Sequence, residues 1–197
     1  MNNHTYSNTQ PTNIDKALAV TVLWLIPKSV TPNQVTLFRF ITTPFVVWLL
    51  LADYYIAGGV LFIISAFSDA VDGALARTRD QITDWGKTYD PLADKFLISI
   101  TAIILIPTFI GIHLAVLIIG IESLFIVGAY YKRKKYPSIQ VQANTLGKIK
   151  MFLQSLGLGV LILYIVFSTP LFLLLATNIL YTAVIFALVT LIVYRSI

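Results

Sequence analysis

The chain of 197 residues is 57% hydrophobic and only 12% charged, with a mean hydropathy of +0.83, whereas a soluble domain is about 25% charged. That composition describes an integral membrane protein, all-α by the helical crossings that follow, and excludes a soluble globular fold. The absence of cysteine excludes disulfides and thiolate metal sites, and the formal charge of +5 is read as basic residues on one membrane face, with no nucleic-acid partner.

Residues 1–12 are polar and lack the basic and long apolar regions of a cleaved signal peptide. The apolar run from Ala17 to Ile26, closed by Pro27 and Lys28, is too short to span a bilayer. It predicts an interfacial amphipathic helix with Trp24 at headgroup level. Residues 1–30 are thus expected to form a tail and juxtamembrane helix, and residues 31–197 a single transmembrane domain.

Six crossings are predicted after that point. Thr31, Pro32 and Gln34 supply an N-cap, a proline at the first helical position and a capping-box partner, so the first crossing runs from about Pro32 to Ala52. Thr36, Arg39 and Thr43 share one of its faces, and a cation at the depth of Arg39 must point into the bundle or a wet cavity. The second begins near Gly58 and enters an acidic stretch. The third starts at the Asp90-Pro91 step and continues through Phe96 to Ile106, with Pro107, Gly111 and His113 marking a tight connection. The fourth spans about Leu114 to Tyr131 and ends in a basic run that contains Arg133. The fifth begins near Thr145, carries Lys148, Lys150 and Gln154 early, and has Gly157 and Gly159 read as allowing close helix packing. The sixth runs from Leu171 to Tyr194. All 14 Lys and Arg residues fall near one side of this arrangement, which by the positive-inside rule puts both termini and the acidic stretch in the cytoplasm. Short connections favour antiparallel neighbours in a compact six-helix bundle.

The acidic stretch, DAVDGALARTRDQITDWGKTYDPLAD from Asp69 to Asp94, carries the chemistry. Asp69 and Asp72 are three apart and Asp90 and Asp94 four apart, so each pair shares a helix face. Asp69 lies eight residues before Arg77, roughly 12 Å deep at 1.5 Å per residue. Four carboxylates sunk in the inner leaflet repel one another unless a cation neutralises them. A site of oxygen ligands alone suits Mg2+ or Mn2+, with Ca2+ as an alternative. Gly73 and Ala76 leave a narrow slot along the helix, Gly86 does the same for the connecting segment, and the Arg77 fork suits a phosphate. Ion-pairing of the acids with Arg77, Arg79, Lys87 and Lys95, and ion transport, are the competing readings of the same residues.

Written as D-x2-D-G-x2-A-R-x8-G-x3-D-x3-D, the stretch resembles the signature of the CDP-alcohol phosphotransferases, membrane enzymes that join an alcohol to a phosphatidyl or similar group carried on CDP. The resemblance implies that residues 31–197 are a catalytic domain and that the reaction belongs to phospholipid biosynthesis. It implies that Asp69, Asp72, Asp90 and Asp94 hold Mg2+ or Mn2+, that Asp69, Asp72, Gly73, Ala76, Arg77 and Gly86 bind CDP, and that Asp94 is the general base. CDP-diacylglycerol and a small polar alcohol are the implied substrates, a homodimer the implied assembly, and a bacterial plasma membrane the implied location. The segment Leu146-Gly147-Lys148-Ile149-Lys150 with Gln154 is similar to the fifth-helix start of the bacterial phosphatidylglycerophosphate synthases, a branch of that family. This favours sn-glycerol 3-phosphate as acceptor, with Lys148, Arg133, Arg39 and Lys150 as candidates to hold its phosphate; inositol phosphate, serine and phosphatidylglycerol are the alternatives. Ile121-Glu122 stands where that branch often has Arg-Glu. Glu122, intramembrane by position, is read as functional, as a partner for Arg39 or as a partner for a helix hydroxyl.

Overall fold

Caps and prolines set the helix boundaries in this chain. The computed structural model describes residues 13–27, 29–81, 83–135 and 145–195, and all regular structure among them is helical. A short helix α1, Asn13–Thr21, is followed by a 3-10 turn at Leu23–Leu25 and then by six long helices. These are α2 Pro32–Leu51, α3 Tyr55–Thr78, α4 Asp84–Phe109, α5 Ile112–Lys135, α6 Thr145–Phe167 and α7 Pro170–Arg195. Five of them carry stretches long and apolar enough to cross a membrane, and the apolar part of α5, Ile112–Gly128, is shorter.

The start of α2 is the expected capping box. The Thr31 N–H donates to Gln34 Oε1 at 2.9 Å, and the Gln34 N–H donates to Thr31 Oγ1 at 3.4 Å. The apolar span of the third crossing, Tyr89–Phe109, starts at the expected Asp90-Pro91 step, but the helix that carries it extends farther back. Its helix begins at Asp84, well before Asp90-Pro91, because Thr83 caps it by accepting from the Gly86 N–H at 3.0 Å. Pro91 and Pro107 both lie inside α4. The tight connection is therefore Ile110-Gly111, with Gly111 at φ +144°, a conformation that suits a residue lacking Cβ.

The long helices bury one face and leave the other apolar. Val46 and Leu50 of α2, Phe62 of α3, Leu97 and Leu105 of α4, Leu114 of α5, Leu158 and Leu161 of α6 and Leu180 of α7 form one buried cluster. Trp48, Phe45, Ile185 and Ile192 are exposed, which suits helices whose outer faces contact lipid chains. Inside the bundle, α2 packs against α3 and α4, α3 against α6, α4 against α5, and α6 against α7. Amphipathic α1 and its turn lie on the end of α3, where Leu18, Ala19, Val22, Leu23 and Ile26 cover Val71, Ala74 and Leu75. Trp24 is 71% exposed.

Two of the glycines differ in a way their sequence positions do not reveal. A Cβ on Gly157 would stand 2.7 Å from Leu180 Cγ, so this glycine does admit α7 closely. A Cβ on Gly159 would meet nothing within 4 Å, because Gly159 lines a cavity; its expected packing role is corrected. Gly157→Ala is expected to lower stability by about 1–3 kcal/mol through overpacking, while Gly159→Ala raises it by about 0.5–1 kcal/mol through helix propensity; thermal unfolding in detergent measures both.

Candidate active site

Burying carboxylates in an apolar bundle requires a countercharge, and here the described residues supply it from α2. Arg39, 0% exposed, is held on the inner face of α2 beside Thr36 and Thr43. Its Nη1 donates to Asp69 Oδ1 at 2.9 Å and its Nη2 to Asp72 Oδ2 at 2.7 Å, while Nε donates to Ser68 Oγ at 3.4 Å. Thr36 Oγ1 donates to Asp90 Oδ1. One helix therefore ties together both acidic pairs, the first on α3 and the second on α4. The Arg39 carbonyl is itself engaged, accepting from Thr43 Oγ1 at 2.7 Å and Thr42 Oγ1 at 3.2 Å.

A cavity of about 820 Å3 opens beside this cluster between α3, α4 and α6. Asp69, Asp90, Asp94 and Lys148 line one end, and Phe62, Phe67, Met151, Phe152, Leu156 and Leu163 line the rest. Asp72, 2% exposed, stands behind Arg39 and outside the cavity wall. From Lys148 to Leu163 the α6 side of the groove is roughly 22 Å long at 1.5 Å per residue.

The glycines of the motif are filled by side chains of the chain itself. A Cβ on Gly73 would lie 3.1 Å from Nη2 and 3.3 Å from Nη1 of Arg77, so the guanidinium rests against the Gly73 backbone. Arg77 is in turn forked onto Asp15 of α1, with Nε–Oδ2 and Nη2–Oδ1 both at 2.7 Å. Gly86 lets Thr83, Asn33 and Asp90 close around it, since a Cβ there would lie 3.1–3.3 Å from their oxygens. Thr83 Oγ1 donates to Asn33 Oδ1 at 2.7 Å, linking the start of α2 to the start of α4. Ala76 lies on the half-buried side of α3.

The candidate acceptor cations fall into different settings. Lys148 is exposed to the cavity. Lys150 is buried on another face of α6, where Nζ donates to Glu122 Oε1 and lies 4.8 Å from the centre of the Phe125 ring. Gln154 Nε2 also donates to Glu122 Oε1, at 3.3 Å. Glu122 thus answers Lys150 and not Arg39, because α5 faces α6 at this level. Arg133 is in α5, but its side chain lies outside the described residues.

Carboxylate oxygens facing a cavity fit a hard divalent cation by donor type, and Asp69 and Asp72 each keep one oxygen off Arg39. Among the described residues no three acids converge into a ready-made cage; Arg39 and Thr36 occupy one oxygen each of Asp69, Asp72 and Asp90. Sequence alone does not single out Asp15, Ser68, Asn33 or Thr83, since each acts through a partner distant in the chain.

An all-helical membrane protein with two acidic helix faces brought together at the head of an apolar groove is the class these features define. Residues 29–194 match the family described as CDP-alcohol phosphatidyltransferase, and the chain belongs to that family. It is an enzyme, a transferase of substituted phosphate groups, in a family that generally depends on a divalent metal. The chain is 32% identical over 148 residues to the "CDP-diacylglycerol--glycerol-3-phosphate 3-phosphatidyltransferase" of Bacillus subtilis, covering 68% of this chain and 76% of that one. The protein of the same description from Rickettsia typhi is 30% identical over 135 residues, 67% of this chain and 75% of its own. A "Cardiolipin synthase (CMP-forming) / mitochondrial hydrolase fusion protein" of Schizosaccharomyces pombe is 31% identical over 147 residues, 66% of this chain and 25% of its own.

Removing the buried countercharge leaves Asp72 unpaired. Arg39→Met is expected to cost about 3–5 kcal/mol in EDTA, measured by thermal unfolding in detergent, with Asp72→Asn recovering part of the loss in the double variant. Arg39→Lys restores only part, because an ammonium cannot fork to two carboxylates.

Proposed function

We propose that the protein transfers the phosphatidyl group of CDP-diacylglycerol to sn-glycerol 3-phosphate and releases CMP, as the names of its bacterial relatives describe for them. The observation that carries this reading is the groove, whose charged end continues into an apolar wall. A nucleotide diphosphate linked to a diacylglycerol has that same division of polarity. The groove length of roughly 22 Å suits an acyl chain lying along α6.

Asp69, Asp72, Asp90 and Asp94 would hold a divalent ion, Mg2+ or Mn2+, whose charge offsets that of the diphosphate and of the departing CMP. Gly73, Ala76, Arg77 and Gly86 border the nucleotide in this reading, with Arg77 facing a phosphate. Asp94 lines the cavity and is free to take the proton from the acceptor hydroxyl. The oxygen then attacks the phosphorus bearing the lipid, and the bond to CMP breaks. Lys148, at the charged end of the cavity, is the acceptor-phosphate cation, with Arg133 as a second candidate. Arg39 and Lys150 are themselves buried and each engaged by carboxylates, so in this reading they support the site from behind. The basic residues gathered on one side favour a cytoplasmic active site, both termini in the cytoplasm and six crossings of a bacterial plasma membrane.

Purified protein with CDP-diacylglycerol and Mg2+ is expected to release CMP with sn-glycerol 3-phosphate and to stop in EDTA. Inositol phosphate, serine and phosphatidylglycerol complete the panel, the last because of the cardiolipin synthase likeness. Asp94→Asn should lower kcat by about 100- to 10,000-fold while CDP still binds. Release with a different acceptor alone would move the acceptor assignment, and no CDP binding by folded protein would sink the nucleotide site.

A further inference from the structure

The N-terminal helix is fastened to the motif helix at three points. Its apolar side covers Val71, Ala74 and Leu75 of α3. Arg79, at the end of α3, donates to the carbonyls of Ile26 at 2.9 Å and of Pro27 and Val30 at 3.2 Å. Between these lies the two-point ion pair of Asp15 with Arg77, in which both bonds are 2.7 Å. Asp15 is 1% exposed and stands ahead of the residues that match the family, which begin at 29.

An arginine side chain is long and has many rotamers, so a free one loses entropy each time it closes on a phosphate. Asp15 removes that freedom beforehand. It takes Nε and Nη2, while the guanidinium lies against Gly73, one residue from Asp72. Nη1 has no hydrogen-bond partner among the described residues. We infer that Asp15 is a positioning residue for the transfer reaction, holding Arg77 so that Nη1 is presented to the phosphates of the CDP-linked substrate. This rests on the assignment of Arg77 to the nucleotide and adds α1, a segment outside the motif, to the machinery that sets donor affinity. The contrary role is that of a competing carboxylate, which would occupy Arg77 until the phosphate displaced it. The two roles have opposite signs.

CDP binding to the full-length protein in detergent, by calorimetry, separates them. Asp15→Asn keeps the side-chain volume and is expected to weaken CDP binding and raise KM for CDP-diacylglycerol about tenfold, the value of one charge-assisted contact, with kcat little changed. Asp15→Glu should recover most of the affinity. In an Arg77→Ala background Asp15→Asn should add no further loss of CDP affinity, as an effect passed through Arg77 requires, while the rise in KM at little-changed kcat is the readout a merely structural role would not give. If Asp15→Asn loses its thermal transition, Arg77→Lys, which keeps the charge pair without the fork, is expected to show the same KM effect. Wild-type affinity in Asp15→Asn or in Arg77→Lys, tighter binding, or an equal loss in the Arg77→Ala background overturns the inference and leaves the proposed reaction standing. Failure of the wild type to bind CDP removes both.

Discussion

The bundle depends on Arg39. Three acids line or adjoin an apolar cavity with a fourth buried behind them, and a carboxylate without a partner is costly in so apolar a setting. A guanidinium can meet this need because its planar fork reaches Asp69 and Asp72 together while its stem packs within the bundle. The contact also decides the helix arrangement. With Thr36 bonded to Asp90, one face of α2 holds α3 and α4 in register, so the acidic pairs meet although they lie on different helices.

A second buried ion pair works on the other wall. Lys150 of α6 and Glu122 of α5 bond beneath the Phe125 ring, and Gln154 donates to the same carboxylate oxygen. Fixing the first turns of α6 in this way also fixes the face that bears Lys148, which lines the cavity. The two ion pairs thus place the charged end of the groove from opposite sides. Its remaining length is lined by ordinary apolar side chains, for which shape matters more than identity.

Much of this was legible because it is local. The capping box at Thr31 and Gln34, the shared faces of Asp69 with Asp72 and Asp90 with Asp94, and the inward direction of Arg39 each follow from helical spacing or the cost of a cation facing lipid. Choice of partner was not legible, since it is decided by which helices meet. Glu122 had Arg39 or a helix hydroxyl in prospect and took Lys150; Arg77 looked free for a phosphate and is forked to a residue 62 positions away. The helical turn of α4 ahead of its apolar span was not legible, because a proline marks a break on average, whereas a Thr83 cap tolerates Pro91 farther along. Gly157 and Gly159 look alike in sequence, yet only one of them faces a neighbouring helix.

The docking of α1 on α3 has a consequence for biosynthesis. Helix α1 leaves the ribosome before α3: Arg77, which answers Asp15, follows 62 residues later, and the Arg79 that grips Ile26 follows 53 residues later. Until α3 is inserted, α1 has no protein surface on which to rest its apolar side. An amphipathic helix can wait in the headgroup layer during that interval without exposing its apolar side to water. Helix α1 is thus completed by an element made much later, and its lipid affinity bridges the delay.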